Sequence, residues 1–333
     1  MSFYIYTETA FHHEGDKDYL LRLIDASVQS SANGVKFQVL IDLNEFMSFE
    51  HSAYTDAKSW ILTIDEWREV FQYTQSCNLD IILMPLDVKA FILLKEFNIK
   101  YLEIHSVSFK DEKLLNKLEE IYLPIVFGIG GRTLEEIDQV VKKNEKRDIV
   151  LMSGFQSFPS ELEDIKLGRI KELSSMYPNC TIGYADHSSY DDEMAITSNE
   201  YAYILGARVF EKHIAIEEGE DRIDFQSAVS SDKINVIKTK LENLDTLLNI
   251  DENLLFDMTD KEKVYRNRQK IPVAARDIEI DEVITEEMIE LKMINKDKYI
   301  EMGEAIIGKK TITKIKKDDA FLLENLIYSA PTI

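Results

Sequence analysis

Short runs of apolar and β-branched residues alternate with longer stretches in which apolar positions recur every three to four residues. The runs Phe3–Tyr6, Gly34–Val39, Ile81–Met84, Tyr101–Ile104, Ile125–Gly128, Ile149–Met152, Thr181–Tyr184 and Arg208–His213 read as strands. Between them Lys17–Ser30, Ile64–Ser76, Val88–Phe97, Lys110–Glu119, Thr133–Lys143, Lys166–Met176 and Glu193–Leu205 read as amphipathic helices. This alternation over residues 1–247 predicts an α/β fold, a (β/α)8 TIM barrel. A doubly wound sheet is the alternative, but no GxGxxG joins the first strand to the first helix.

Beyond the barrel the texture changes. Residues 248–267 are polar and charged and read as a linker. In residues 268–333 the segment Ile278–Ile289 is echoed by Ile315–Leu326, each with a polar turn before an apolar pair and a short acidic helix. The repeat predicts a small β-rich, pseudo-symmetric domain. A core of that size needs support from the barrel or from a second chain.

Composition narrows the class. Lys and Arg total 39 against 61 Asp and Glu, a net charge of −22. Such a surface repels polyphosphate, so nucleic acid and anionic membranes are excluded as bulk partners, although a pocket can still take a small anion. The two cysteines, Cys77 and Cys180, are far apart and form no metal-ligand spacing. This argues against a disulfide scaffold and for a reducing compartment. No apolar run reaches the ~18 residues of a spanning helix, and the first residues lack a basic leader, so a soluble cytoplasmic protein is expected.

Barrels of this kind carry their chemistry at the C-terminal ends of the strands. The rule selects Glu8, His12 and His13 after the first strand, Lys36 and Gln38 on the second, and Asp87 after the third. It then selects His105 and Ser106, Gly128–Gly131, Ser153 and Gln156, Asp186 and His187, and finally Glu211 and His213. His187 and His213 end neighbouring strands, so their imidazoles can converge on a divalent metal, with Asp186 and Glu211 as carboxylate neighbours. Two ordinary polar histidines are the plainer reading. In Val35-Lys36-Phe37-Gln38, alternation sends Lys36 and Gln38 to one face and Val35 and Phe37 to the other. An inward Lys36 holds either a ligand anion or a carboxylate such as Glu8 or Glu103. Gly128-Ile-Gly-Gly-Arg-Thr133 reads as an anion cradle or as a tight turn capped by Thr133.

In this order the motifs resemble the sialic acid synthase (N-acetylneuraminate synthase) family. Glu8 to His13-Glu14-Gly15 is similar to the family's Glu-x-x-x-Asn-His-x-Gly, with His12 for asparagine. Val35-Lys36-Phe37-Gln38 is intact, Gly183-Tyr-Ala-Asp186-His187 resembles Gly-Tyr-Ser-Asp-His, and Gly206-Ala-x-Val-x-Glu211-Lys212-His213 is intact. The C-terminal repeat resembles the family's antifreeze-like (SAF) domain. The resemblance implies a C–C bond-forming transferase that condenses phosphoenolpyruvate (PEP), or a similar enol donor, with an acylamino-sugar aldehyde. The product is a nonulosonic acid for surface glycans. It places Mn²⁺ or Mg²⁺ on His187 and His213, and catalysis on Glu8, Glu211 and Asp186. Substrate contact falls to Lys36, Gln38, Ser106, Gln156 and Asp224, in a homodimer whose SAF domain caps the partner's barrel.

The chain also departs from the pattern. Glu103 stands where the family has a phosphate-binding lysine, Met84 replaces threonine before Pro85, and Gly128-Ile129-Gly130 replaces Ser-Thr-Gly. Gln156 replaces asparagine, Ala185 replaces serine, and Lys292-Met-Ile-Asn295 replaces Lys-Arg-Pro-Gly. These changes predict weak PEP binding. They keep open an enzyme with the barrel and metal but another sugar chemistry (lyase, epimerase or dehydratase), and a non-catalytic sugar-binding protein.

Overall fold

The computed structural model describes residues 3–154, 157–248, 254–266, 268–295, 299–301 and 303–328. The chain divides into two compact units, Met1–Asn249 and Ile250–Ile333.

The first unit is a closed parallel barrel. Its strands are β1 (Tyr4–Glu8), β2 (Gly34–Val39), β3 (Asp80–Pro85), β4 (Ile99–Ile104), β5 (Ile125–Gly128), β6 (Ile149–Ser153), β7 (Thr181–Asp186) and β8 (Val209–His213). β1 pairs with both β2 and β8, which closes the ring. The pleat sorts side chains into two cores. Tyr6, Ile82, Val126, Val150, Met152, Ala185 and Val209 fill the interior. Ile5, Val35, Phe37, Leu83, Leu102, Phe127, Ile182 and Phe210 face outward against the helix layer. Each fully buried Val, Leu, Ile, Phe or Met among them contributes ~1.5–3 kcal/mol.

The helix layer consists of α1 (Lys17–Gln29), α2 (Leu43–Phe46), α3 (Tyr54–Ser59), α4 (Ile64–Ser76), α5 (Glu112–Lys117), α6 (Leu134–Lys143), α7 (Leu162–Ile165), α8 (Gly168–Met176), α9 (Met194–Leu205) and α10 (Ser231–Leu248). Thr63 with Glu66 and Thr133 with Glu136 form capping boxes that start α4 and α6. α9 stops at Gly206, whose φ of 118° suits a residue without a Cβ. The segment expected as a third helix is instead a 3-10 helix, Val88–Lys95. Its buried Ala90 and Leu93 are three residues apart, the repeat of that tighter winding.

In the second unit, part of the segment expected as a plain linker is helical: α11 spans Asp260–Arg266. Two antiparallel ladders follow, β9 (Ile271–Ala274) with β10 (Ile289–Lys292), and β11 (Lys309–Thr311) with β12 (Leu326–Tyr328). The internal repeat is visible in the backbone. Asp281 and Asp318 occupy matching left-handed positions, with φ of 68° and 69°, and Ile278 bridges Ile315. The 3-10 turns Glu286–Met288 and Leu323–Asn325 also correspond. Ala274, Ile278, Ile284, Ile306, Ile315 and Phe321 form the core. Among the described residues, no helix is long and apolar enough to cross a membrane.

Candidate active site at the barrel mouth

Strand alternation brings the charged residues together. On β1, Tyr6 and Glu8 point inward, while Thr7 points out and meets Ser27 of α1 at 2.7 Å. On β2, Lys36 and Gln38 point inward and Val35 and Phe37 outward, as the pattern predicts. β4 contributes Glu103, and β8 contributes Glu211 and His213. Lys36 Nζ lies 2.6 Å from Glu211 Oε2 and 2.9 Å from Glu103 Oε1, and it also contacts Glu8 Oε2. The Tyr6 hydroxyl donates toward Glu211 Oε2 at 2.9 Å and Glu103 Oε2 at 3.0 Å. Tyr6, Glu8, Lys36, Glu103, Glu211 and His213 are buried, and Gln38 is half-buried.

Three carboxylates around one ammonium leave excess negative charge in a low-dielectric site. Burial pushes the Glu103 carboxyl up to about 7, with Lys36 opposing and Glu211 adding to the rise. Burial works against the Lys36 ammonium, but Glu103 and Glu211 hold its pKa above the ordinary value. Lys36 therefore takes the carboxylate-holding alternative of the two the sequence left open.

Beside this cluster, ligand atoms of His187, Glu211 and His213 all lie within 4.8 Å of one another. The two imidazole centroids are 5.1 Å apart. Burial lowers the pKa of His187 to about 4 and that of His213 well below its ordinary value, so both are neutral at pH 7. His187 Nδ1 is buried without a hydrogen-bond partner. Two neutral imidazoles and a carboxylate are a donor set that fits a divalent transition ion. Phe158 packs edge-on against both rings, at 4.9 Å from His187 and 5.5 Å from His213. The cavity bounded by Lys36, Glu103, His105, Phe158 and the two histidines is about 30 Å³, room for one or two waters.

The remaining expected residues are placed differently. Gln38 Nε2 donates to Glu8 Oε1 at 3.1 Å, inside the cluster. Asp186 departs most from the expected placement. Alternation turns it away from the mouth, where it pairs with Lys212 at 2.7 Å and accepts from the Ser188 hydroxyl at 2.6 Å. It is not among the residues that line the cavity. Ser106 is buried in the 3-10 turn after β4, outside the cavity lining. Asp224 sits in the loop after β8 with φ of 63°, and burial raises its pKa to about 6. Gln156 lies outside the described residues. His12 Nδ1 meets the Ile223 carbonyl at 2.8 Å, and His13 packs edge-on against Trp67. Asp87 accepts from the Ile41 and Asp42 amides at 2.6 and 3.0 Å and so fixes a turn. Gly128 and Gly130 line the cavity, and Thr133 caps α6 as the turn reading had it.

Two residues of the site had been overlooked. Tyr6 shares the inward face of Glu8, so the alternation that selected Glu8 also selects it. Phe158 lies in the loop after β6, and no periodicity signals its position over the histidines.

The chain matches the family model described as "NeuB family" over residues 23–252. It is 25% identical over 260 residues to the N-acetylneuraminate-9-phosphate synthase of Drosophila melanogaster, which covers 73% of this chain and 68% of that protein. Its fold superposes on a putative spore coat polysaccharide biosynthesis protein E from Chromobacterium violaceum with a TM-score of 0.82 at 20% identity, covering 98% and 99% of the two chains. It also superposes on the N-acetylneuraminic acid synthetase of Leptospira borgpetersenii, solved with citrate, with a TM-score of 0.71 at 25% identity. That match covers 80% of this chain and 91% of the other.

Proposed function

The chain belongs to the NeuB family, and from that membership we propose that it is a metal-dependent synthase acting on an acylamino-sugar aldehyde. The observation that carries the proposal is the convergence of His187, Glu211 and His213 at the barrel mouth. Mn²⁺ or Mg²⁺ held there would polarise the sugar carbonyl for attack by an enol carbon. Glu8, with Gln38 beside it, and Asp224 handle sugar hydroxyls and protons. Lys36 balances the acidic cluster while the reactants are oriented, and Phe158 keeps bulk water from the histidines. The C-terminal unit acts as a domain of the SAF type that caps the barrel of a partner in a cytoplasmic homodimer.

A second reading is favoured by one observation. Lys36 is surrounded by Glu8, Glu103 and Glu211, and no other Lys or Arg lines the cavity among the described residues. A phosphoryl group meets excess negative charge there, which supports retention of the metal with loss of PEP chemistry. Phosphate release from PEP with a panel of N-acylhexosamines and Mn²⁺ tests the first reading. Sugar conversion without PEP supports the second, and stabilisation by sugars without turnover supports a binding protein.

A further inference from the structure

Asp186 and Lys212 each stand one residue before a histidine of the candidate metal centre, yet neither reaches the cavity. They are the last Cα partners of the β7–β8 ladder, so pairing between the strands ends with them. From that point the strands are tied by side chains. Lys212 Nζ lies 2.7 Å from Asp186 Oδ2, with both side chains almost wholly buried. The same ammonium reaches the Asp186 carbonyl and the Ser188 carbonyl, each at 3.4 Å, and thus grips the backbone on both sides of His187. Asp186 Oδ1 accepts from the Ser188 amide at 2.9 Å and from its hydroxyl at 2.6 Å, closing a turn around the same residue. The His187 carbonyl is held as well, by the Ser227 hydroxyl and the Ser160 amide, both at 2.8 Å.

We infer that the Asp186–Lys212 pair is a positioning device that sets the separation of the His187 and His213 imidazoles. The inference rests on the metal reading above. Its geometric half, the placing of the two rings, stands without it. One side chain precedes His213 covalently and brackets His187 through hydrogen bonds, so the two rings move as a unit. The pair is neutral overall and faces the helix layer, so it adds no net charge at the metal.

The test separates positioning from folding. Removing one partner leaves a buried charge without its counterion and endangers the fold, so both are replaced together by apolar residues in Asp186→Leu/Lys212→Met. The double variant is expected to unfold cooperatively with the far-UV spectrum of the wild type, and to bind Mn²⁺ at least tenfold more weakly in calorimetric titration. Its Co²⁺ complex is expected to show an altered ligand-field spectrum, a change that mere loss of stability does not produce. In the crystal structure of the metal-free variant the ring centroids are expected to depart from the wild-type 5.1 Å by more than 1 Å. Unchanged Mn²⁺ affinity together with an unchanged ring separation overturns the inference. If the wild type itself takes up no cation, the metal reading fails, and the ring separation alone decides the positioning role.

Discussion

Lys36 Nζ and Glu103 Oε1 are 2.9 Å apart in the centre of the barrel mouth, with both side chains buried. The pair joins β2 to β4, strands that are not neighbours in the ring. It turns the one Lys or Arg that lines the cavity among the described residues toward protein carboxylates and away from ligand anions.

Reversing the charge of one member therefore changes anion affinity. Glu103→Lys is expected to bind PEP at least tenfold more tightly than the unmodified protein, a gain of ~1.4 kcal/mol. Calorimetric titration of both proteins measures it. Micromolar PEP binding by the unmodified chain would contradict the reading of Glu103.

The metal assignment is tested directly. His187→Ala and His213→Ala each remove one ligand of a compact set. After chelation and reloading, elemental analysis is expected to find no bound divalent ion in either variant. Wild-type stoichiometry in both would sink the assignment.

Acid sensitivity follows from the buried imidazoles. His13, His105 and His187 have pKa values lowered to about 4 by burial, against an ordinary 6.5. Between those values the unfolded chain binds more protons, so stability falls as pH drops through this window. Each such imidazole costs about 3 kcal/mol by pH 4. Glu103 has the opposite sign, because the folded state holds its proton up to about 7. Denaturant unfolding of the metal-free protein is expected to give lower stability at pH 5 than at pH 7.5, with a steeper dependence in Glu103→Gln. A flat profile in both proteins would refute the assignment of these groups.

The proposed pairing of chains has a plain readout. Phe256 is 92% exposed in the single chain, with Leu254, Leu255, Val264 and Tyr265 also uncovered nearby in sequence. Apolar residues concentrated in this way are usually covered by a partner. Light scattering at micromolar concentration is expected to return the mass of a dimer, and a monomer would count against the capped arrangement.

Much of this architecture can be read from local pattern. Short apolar and β-branched runs locate all eight strands, and alternation orients Lys36 and Gln38 correctly. The same rule applied to β7 and β8 separates Asp186 and Lys212 from their histidines, because adjacent residues of a strand cannot share a face. The family motif treats Asp186-His187 as one unit and so hides that distinction. What local pattern does not carry is partnership across the ring. Glu103 on β4 meets Lys36 on β2 across an intervening strand, and Phe158 lies outside any helix or strand. The 3-10 winding at Val88–Lys95 shares its apolar content with an α-helix, so composition alone does not separate the two.

Ring closure through β1 and β8 also governs the order of assembly. Glu8 and Lys36 are synthesised well before Glu211 and His213, which lie on the last of the eight strands. Until β8 emerges, β1 presents an open edge, and the Lys36 ammonium lacks the Glu211 carboxylate that lies 2.6 Å from it in the folded chain. The nascent chain therefore holds an unfinished sheet while β1 to β7 are made, and its charged centre is completed by the same strand that removes the sheet's edges. Barrel closure and completion of the charged mouth both require β8, and a ribosome-bound chain halted before residue 209 has neither.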